Sequence, residues 1–184
     1  IDPPYNLGKN FENDNLNEEQ YIAFLTPILR ELGRVIKPKR SIIVFFDSGK
    51  KLPLFWKCLF GTELCFQRSC SLYKPNDCSM PHNRILRTSE VFYVLSKTQE
   101  LNHDGDGFMH DCLIANHEHK EDWYHPTAKN IKAIRKIILT HSKEGEIVLD
   151  CFMGSGTTAV SCKQMGRKFI GFELEKSYCD VANR

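Results

Sequence analysis

Four residues at the start of the chain could bind an exocyclic amino group. They are Asp2, Pro3, Pro4 and Tyr5. Consecutive prolines fix the φ angle and lack N–H donors, so this segment is rigid and its carbonyl oxygens have no local partner. The Asp2 carboxylate and the Pro3 carbonyl can both accept hydrogen bonds from one NH2 group, and the Tyr5 ring can stack on a base. The pattern fits a flipped-out nucleobase, but four such residues alone more often form a plain proline-rich turn.

A glycine-rich turn, Gly154-Ser155-Gly156, joins an apolar run to the start of a predicted helix. Glycines let the backbone turn tightly and approach a ligand closely, and the exposed N–H groups of a helix start favour anionic or polar ligand atoms. The next apolar run ends at Glu173, an acid that can accept hydrogen bonds from two ribose hydroxyls. No Lys follows the glycines, and this disfavours a phosphate-binding P-loop. A dinucleotide fold without its third glycine and a purely structural turn stay open as alternatives.

The elements that must position these two segments alternate between helix and strand. Apolar spacing predicts a helix over 17–37 with Asn17 as N-cap, and the β-branched and aromatic run 41–46 predicts a strand buried on both faces. The run 147–149 predicts a second buried strand. The other predicted strands are 64–73, 90–97, 169–172 and a short one within 109–114, and the other predicted helices are 51–60, 129–142, 157–165 and one beginning near 176. A strand–helix–strand unit of this length predicts a parallel strand pair.

Composition and cysteine usage restrict the class of protein. The chain has 184 residues and a mass of 21.3 kDa, with 41% hydrophobic and 26% charged residues, as in one ordinary globular domain. No apolar run reaches the roughly 18–20 residues of a membrane span and no signal peptide is visible, so no membrane partner is expected. The eight cysteines form no Cys-x-x-Cys pair, which predicts reduced thiols in a cytoplasmic protein. Five His between 103 and 125 match no standard zinc spacing, and no metal site is expected.

Charge is unevenly distributed along a chain whose net charge is only +2. Residues 30–90 carry twelve Lys/Arg against five Asp/Glu, and residues 126–168 carry eight against three. The stretch 91–125 is acidic, with two Lys/Arg against seven Asp/Glu. Two basic segments are compatible with one basic face for a polyanion, and ordinary solvated surface is the alternative.

Taken together and in this order, the two motifs resemble those of the DNA amino-methyltransferases, which modify adenine N6 or cytosine N4. Asp2-Pro-Pro-Tyr-Asn-Leu-Gly8 precedes the stretch 150–158, an order similar to that of the permuted β class. Further similar landmarks are the strand 41–47, the stretch Tyr73-Lys-Pro-Asn76 with Arg84 and 90–97, and His125-Pro-Thr-Ala-Lys-Asn130. The resemblance covers residues 1–184. It implies an α/β fold of the Rossmann-like, S-adenosylmethionine-dependent methyltransferase type, with a mostly parallel sheet, helices on both faces and a permuted motif order.

The resemblance also implies a role for each motif residue, with S-adenosylmethionine as the cofactor. Asp2, Pro3, Pro4 and Tyr5 are the implied catalytic residues, which hold the target amine for direct attack without a covalent enzyme intermediate. Because Asp in the first position is typical of adenine-N6 enzymes, adenine is favoured over cytosine N4. The implied cofactor-binding residues are His125, Thr127, Lys129, Asp150, Phe152, Gly154, Ser155, Gly156, Thr157, Thr158 and Glu173. Duplex DNA is the implied partner, with contacts expected from Lys39, Arg40, Lys50, Lys51, Lys74, Arg84 and Arg87.

The same resemblance predicts one methyltransferase domain over 1–184. Its parts are a catalytic half at 1–98, a short target-recognition insert at 99–124 and a cofactor-binding half at 125–184. In the family a strand leads into the Asp-Pro-Pro-Tyr motif. Only Ile1 of that strand precedes Asp2 here, so we expect a chain truncated at its N-terminus. A catalytically inactive remnant that binds DNA or cofactor is therefore a third alternative. A cognate restriction endonuclease and a homodimer stay open as further partners.

Overall fold

The computed structural model describes residues 1–9, 12–75, 88–102, 105–115 and 129–182. They belong to two compact units, which we call the N-terminal unit (Asp2–Cys70 and Glu90–Asn102) and the C-terminal unit (Ile1, Ser71–Ser89 and His103–Arg184). The elements in chain order are α1 Glu18–Val35, β1 Ser41–Phe46, α2 Leu52–Phe60, β2 Cys65–Tyr73, β3 Ser89–Ser96, β4 Cys112–Ile114, α3 Ile131–His141, β5 Ile147–Asp150, α4 Thr157–Gln164, β6 Lys168–Gly171 and α5 Lys176–Ala182. Each predicted helix and strand is thus confirmed. In the described part of the chain, no helix is long and apolar enough to cross a membrane.

In the N-terminal unit, α1 begins at the predicted cap and buries its apolar face. The side chain of Asn17 accepts a hydrogen bond from the Gln20 N–H at 2.9 Å, and the Gln20 side chain accepts one from the Asn17 N–H at 3.0 Å. This capping box satisfies two backbone donors that a helix start otherwise leaves open. One turn further on, Tyr21, Leu25 and Leu29 are fully buried. Helix α1 packs against α2.

An aromatic core supports the carboxyl end of β1 in the same unit. The Phe55 ring of α2 stacks on Phe46, the last residue of β1, with a centroid distance of 5.0 Å. The Phe55 ring also stacks on the Tyr93 ring of β3, with a centroid distance of 4.9 Å. Both distances lie in the range where aromatic pairs add stability beyond their buried area. The end of β1 is therefore a firm platform for whatever packs on it.

The strand pairing is mixed, with parallel pairs as predicted and an antiparallel pair that the sequence did not predict. Strand β1 pairs antiparallel with β3, from Ser41 opposite Ser96 to Phe46 opposite Val91, and β2 is the other neighbour of β3. The end of β2 pairs parallel with β4, and β5 pairs parallel with β6. Parallel neighbours need a long crossover, usually a helix, whereas a loop connection reverses the strand direction. Helix α2 connects β1 to β2, but no helix is predicted between β2 and β3, so β3 runs against β1.

The strands of the C-terminal unit are less buried than the sequence predicts. Ile147 at the start of β5 is 62% exposed, and Phe169 and Ile170 of β6 are about half exposed. The strand over 147–149 is present, but the prediction that it is buried is wrong, since Val148 and Leu149 are only half-buried as well. Helix α4 packs against β6 and α3 packs against α4. Among the described residues β5 and β6 pair only with each other, so a two-stranded sheet leaves outward-pointing apolar side chains in water.

A buried guanidinium holds the start of the predicted insert in the C-terminal unit. The Arg167 side chain is 4% exposed and donates to the Asp106 carboxylate at 2.5 Å. It also donates to the Met165 carbonyl at 2.7 Å and the Ser142 carbonyl at 2.9 Å. The Glu144 N–H donates to the same Asp106 carboxylate at 3.0 Å. Asp106 thus joins the insert to the ends of α3 and α4.

We expect Asp106→Ala to lower the free energy of unfolding by about 1–3 kcal/mol, because it removes an acceptor from a buried charge. The carbonyl acceptors that remain, together with the 40% exposure of the Asp106 side chain, keep the loss below that of a fully buried pair. Urea denaturation measures it. Glu100→Ala is the matched control, since it removes an exposed partner of Lys39 and should cost about 0–1 kcal/mol. Equal losses in the two variants would contradict the structural role of Asp106.

Candidate active site

One candidate functional segment is the loop over residues 2–6 of the N-terminal unit, which we call the site loop. Its Tyr5 hydroxyl donates a hydrogen bond to Asp2 Oδ1 at 2.6 Å. The Tyr5 ring packs on Phe46 with a centroid distance of 5.3 Å, so the loop lies against the carboxyl end of β1. Pro3 is buried, while Asp2, Pro4 and Tyr5 are half-buried. The structure therefore brings the predicted carboxylate and the predicted stacking ring into direct contact.

Two residues that the sequence did not single out, Tyr21 and Asp14, hold the site loop in place together with the loop's own Asn6. The Tyr21 hydroxyl donates to the Pro4 carbonyl at 2.5 Å. Asn6 lies at a φ of 58°, a left-handed conformation that Asn tolerates better than most residues, and its side chain forms two hydrogen bonds of 2.8 Å with the Leu16 backbone. The buried Asp14 carboxylate accepts from the backbone N–H groups of Leu7 and Lys9 at 3.2 and 2.7 Å. One signal was available for Tyr21: a tyrosine on the apolar face of α1 needs a partner for its hydroxyl.

A separate candidate functional segment, in the C-terminal unit, is the turn between β5 and α4. Gly154 and Gly156 have φ angles of +53° and +93°, which glycine adopts without a steric penalty. The Asp150 carboxylate, 8% exposed, accepts from the Phe152 N–H at 3.1 Å and from the Thr158 hydroxyl at 2.6 Å. Asp150 thereby fixes both ends of the turn. The predicted cofactor-binding residues from Asp150 to Thr158 do lie together in this turn.

Glu173 lies beside the glycine turn, 17 residues after Gly156 in the chain. Its Oε2 accepts from the Gly154 N–H at 2.7 Å, and its Oε1 accepts from the Glu175 N–H at 2.9 Å. A Cβ built on Gly154 would point into open space, so the turn has room for a ligand next to this acid. A carboxylate, backbone N–H groups and a threonine hydroxyl suit a ribose and the polar end of an amino acid. The residues present therefore fit the cofactor that the sequence implies.

The cysteine next to this turn is held as a neutral thiol. Burial raises the pKa of Cys151 above its ordinary value, and burial raises the pKa of Cys162, in α4, to about 11. A thiol is a weak nucleophile compared with its thiolate. Both side chains accordingly suit packing, in line with a reaction that needs no cysteine nucleophile.

The predicted DNA-contacting residues do not all lie together. Lys39 and Arg40 precede β1, whereas Lys50 and Lys51 follow it, and a six-residue strand separates the two pairs by about 20 Å. Lys50 and Lys51 share the carboxyl end of β1 with the site loop, which favours them as DNA contacts. Lys39 pairs with Glu100 at 3.0 Å. Lys74 lies at the end of β2 in the other unit.

Four of the predicted site residues lie outside the described residues: Arg84, Arg87, His125 and Thr127. Of the motif over 125–130, the structure describes Lys129 and Asn130. Lys129 is half-buried and immediately precedes Asn130, whose side chain caps α3 by accepting from the Ala133 N–H at 3.0 Å. The roles predicted for these residues stay predictions.

Comparisons with known proteins give one family. A family model described as DNA methylase, of the N6/N4 type, matches residues 1–184. Type II methyltransferase M.BglII of Bacillus subtilis is 31% identical over 98% of this chain and 60% of its own length. DNA adenine methyltransferase YhdJ of Escherichia coli K12 is 27% identical over 100% of this chain and 73% of its own length. The chain thus spans less than two thirds of M.BglII.

Solved structures share the fold. The complex of M1.HpyAVI with S-adenosylmethionine superimposes with a TM-score of 0.73 at 23% identity, covering 99% of this chain and 84% of that one. The cytosine-N4-specific PvuII DNA methyltransferase gives a TM-score of 0.77 at 20% identity, covering 99% and 76%. These similarities confirm the predicted α/β, Rossmann-like methyltransferase fold.

Proposed function

Because the chain belongs to the N6/N4 DNA methylase family, we propose that it transfers a methyl group from S-adenosylmethionine to an exocyclic amino group of a base flipped out of duplex DNA. The observation that carries this proposal is the site loop, in which the Asp2 carboxylate is held by the Tyr5 hydroxyl at 2.6 Å. A carboxylate fixed beside a proline carbonyl is suited to accept hydrogen bonds from one NH2 group.

The glycine turn and Glu173 are the proposed cofactor site. S-adenosylmethionine supplies an electrophilic methyl group on a positively charged sulfur. In this proposal Glu173 binds the ribose hydroxyls, and the backbone of Gly154–Gly156 lies under the cofactor. Asp150 accepts from Phe152 N–H and the Thr158 hydroxyl, so it acts by shaping the turn. Thr157, Ser155 and the motif over 125–130 are proposed to complete the site.

The site loop accelerates the reaction by positioning. The Asp2 carboxylate and the Pro3 carbonyl accept hydrogen bonds from the two N–H groups of the target amine, and this directs the nitrogen lone pair away from the base plane. The Tyr5 ring stacks on the base while its hydroxyl orients Asp2. Correct placement of reacting groups can supply several kcal/mol of a reaction barrier, on the order of 7–11 in favourable cases.

Adenine N6 is the proposed target, with cytosine N4 as the alternative. Asp2 in the first position of the motif supports adenine, because the resemblance associates Asp with adenine enzymes and Ser with cytosine enzymes. A relative named as an adenine methyltransferase, YhdJ, matches the whole chain. The PvuII structure, which is cytosine-specific, has the same fold, so fold does not discriminate between the two bases.

Partners and organisation remain part of the proposal. Duplex DNA is the proposed partner, bound through Lys50 and Lys51 and the other basic residues named above. M.BglII is a Type II methyltransferase, which supports a restriction–modification setting with a cognate endonuclease. A homodimer is a further alternative. We retain the organisation into a catalytic half, an insert and a cofactor-binding half as a prediction.

The proposal is tested by expressing the chain in methylation-deficient bacteria and analysing the nucleosides of their DNA by mass spectrometry. We expect N6-methyladenine, which is absent from cells that carry the empty vector. N4-methylcytosine instead would establish the alternative base. No modified base from a folded chain that still binds S-adenosylmethionine in calorimetry would favour the inactive remnant and overturn the proposed activity.

A further inference from the structure

The two proline carbonyls of the site loop differ in what binds them. The Pro4 carbonyl accepts a hydrogen bond of 2.5 Å from the Tyr21 hydroxyl. Among the described residues, no protein N–H or O–H donates to the Pro3 carbonyl. Because proline fixes φ and offers no N–H, the hydrogen bond to Pro4 restrains a stiff segment between Asp2 and Tyr5, whose side chains are joined by the Tyr5 hydroxyl. A single side chain of α1 therefore anchors the segment that carries both groups.

Tyr21 itself is held firmly. Its side chain is fully buried in the first turns of α1. Its ring packs on Phe24 and Phe46, with centroid distances of 5.8 and 6.2 Å. Phe46 in turn contacts the Tyr5 ring at 5.3 Å. The hydroxyl is thus carried by a rigid core at a fixed place under the site loop.

Burial raises the pKa of Tyr21 above its ordinary value, with the charges of Cys58 and Asp14 acting in the same direction. The hydroxyl therefore keeps its proton at any pH at which the protein is studied, and it can act only as a neutral donor and acceptor. An effect of this hydroxyl on the reaction should not vary with pH between about 6 and 9, since the free group already has a pKa near 10.

We propose that Tyr21 is a positioning residue for methyl transfer: by holding the Pro4 carbonyl it keeps the Asp2 carboxylate and the Tyr5 ring of the site loop in place for the target amine. This inference rests on the proposed function. It assigns to α1 a role beyond packing, because the helix supplies a hydroxyl that donates to the loop at Pro4. The Asn6 and Asp14 contacts hold the residues that follow.

Tyr21→Phe tests the inference, with Tyr93→Phe as the matched control. Tyr93 is also a buried tyrosine of the N-terminal unit and stacks on Phe55 at 4.9 Å, and among the described residues its hydroxyl makes no hydrogen bond to the site loop. The measurement is the single-turnover rate of tritiated methyl transfer to unmethylated DNA, well below the melting temperature of each variant. We expect Tyr21→Phe to slow transfer by about 10–100-fold, the size of effect that a small misplacement of reacting groups causes. The affinity for S-adenosylmethionine should change less than about twofold, since the glycine turn is untouched.

A second measurement separates loop orientation from loss of stability. Amide hydrogen exchange should become faster in the peptide over residues 5–9 of Tyr21→Phe, and it should stay unchanged there in Tyr93→Phe. The fall in rate should be the same at pH 6 and pH 9. If Tyr21→Phe transfers methyl groups as fast as the wild type, or slows no more than Tyr93→Phe, the inference is wrong. If the wild type itself transfers none, the proposed function fails and the role of Tyr21 falls with it.

Discussion

Asp2→Ala is expected to lower the rate of methyl transfer by about 10²–10³-fold, the loss found when one preorganised polar group of a reaction site is removed. The substitution deletes the carboxylate that would accept from the target amine. It also removes the acceptor of the Tyr5 hydroxyl, so the stacking ring loses its tether. Nucleoside mass spectrometry measures the modified base, and calorimetry measures the affinity for S-adenosylmethionine, which should be retained because the glycine turn is unchanged.

Two further variants sharpen this test. Asp2→Asn keeps an oxygen acceptor for Tyr5 but loses the charge, so an intermediate rate is expected. Glu12→Ala removes an exposed acid of the same N-terminal segment, and it should leave the rate unchanged. Normal turnover in Asp2→Ala would remove Asp2 from the proposed reaction. If Glu12→Ala lowers the rate as much as Asp2→Ala does, the effect comes from the loss of a negative charge and not from the position of Asp2.

Gly156→Ala is expected to weaken cofactor binding by at least about tenfold and to destabilise the C-terminal unit. Gly156 lies at a φ of +93°, where a side chain costs roughly 1–2 kcal/mol. A Cβ there would also lie 3.0 Å from the Ala182 Cβ and 3.3 Å from its Cα. Since Ala182 ends α5, the helix must move away from the turn. Isothermal calorimetry and urea denaturation measure the two effects.

Gly145→Ala is the control that isolates backbone strain. Gly145 has a φ of +79°, but nothing lies within 4 Å of a Cβ built on it. We expect about 1–2 kcal/mol of destabilisation from strain alone and no change in the affinity for S-adenosylmethionine. Equal effects of the two substitutions on binding would show that the approach of α5 to the glycine turn has no part in the cofactor site.

Local features of the fold were predictable because their causes lie close together in the chain. The capping box of Asn17 and Gln20 spans four residues, and the apolar spacing that follows it repeats with each helical turn. The glycine turn needs positive φ angles at residues two apart. Each of these patterns depends only on residues close together in the chain, so the sequence suffices to predict the elements and to place the turn between them.

Strand direction and burial were less predictable because they depend on neighbours. The apolar run 41–46 is the same sequence whether its partner runs parallel or antiparallel, and the direction follows from how the chain returns at β3. Ile147 has the composition of a buried strand but is 62% exposed, because burial depends on which elements cover a sheet. The type of a residue indicates whether its side chain favours burial, but not whether another element of the fold covers it.

By itself the sequence determined the chemistry available to this protein. Asp2-Pro-Pro-Tyr5 offers a carboxylate, proline carbonyls and a ring in consecutive positions. Asp150 with the two glycines, and Glu173, follow the ends of two predicted strands. The tertiary structure alone decided how those groups are held. Tyr21 reaches Pro4 across 17 residues, and Arg167 reaches Asp106 across 61. Hydrogen bonds need their atoms within about 3 Å of each other, and only the folded chain brings such distant residues to that distance.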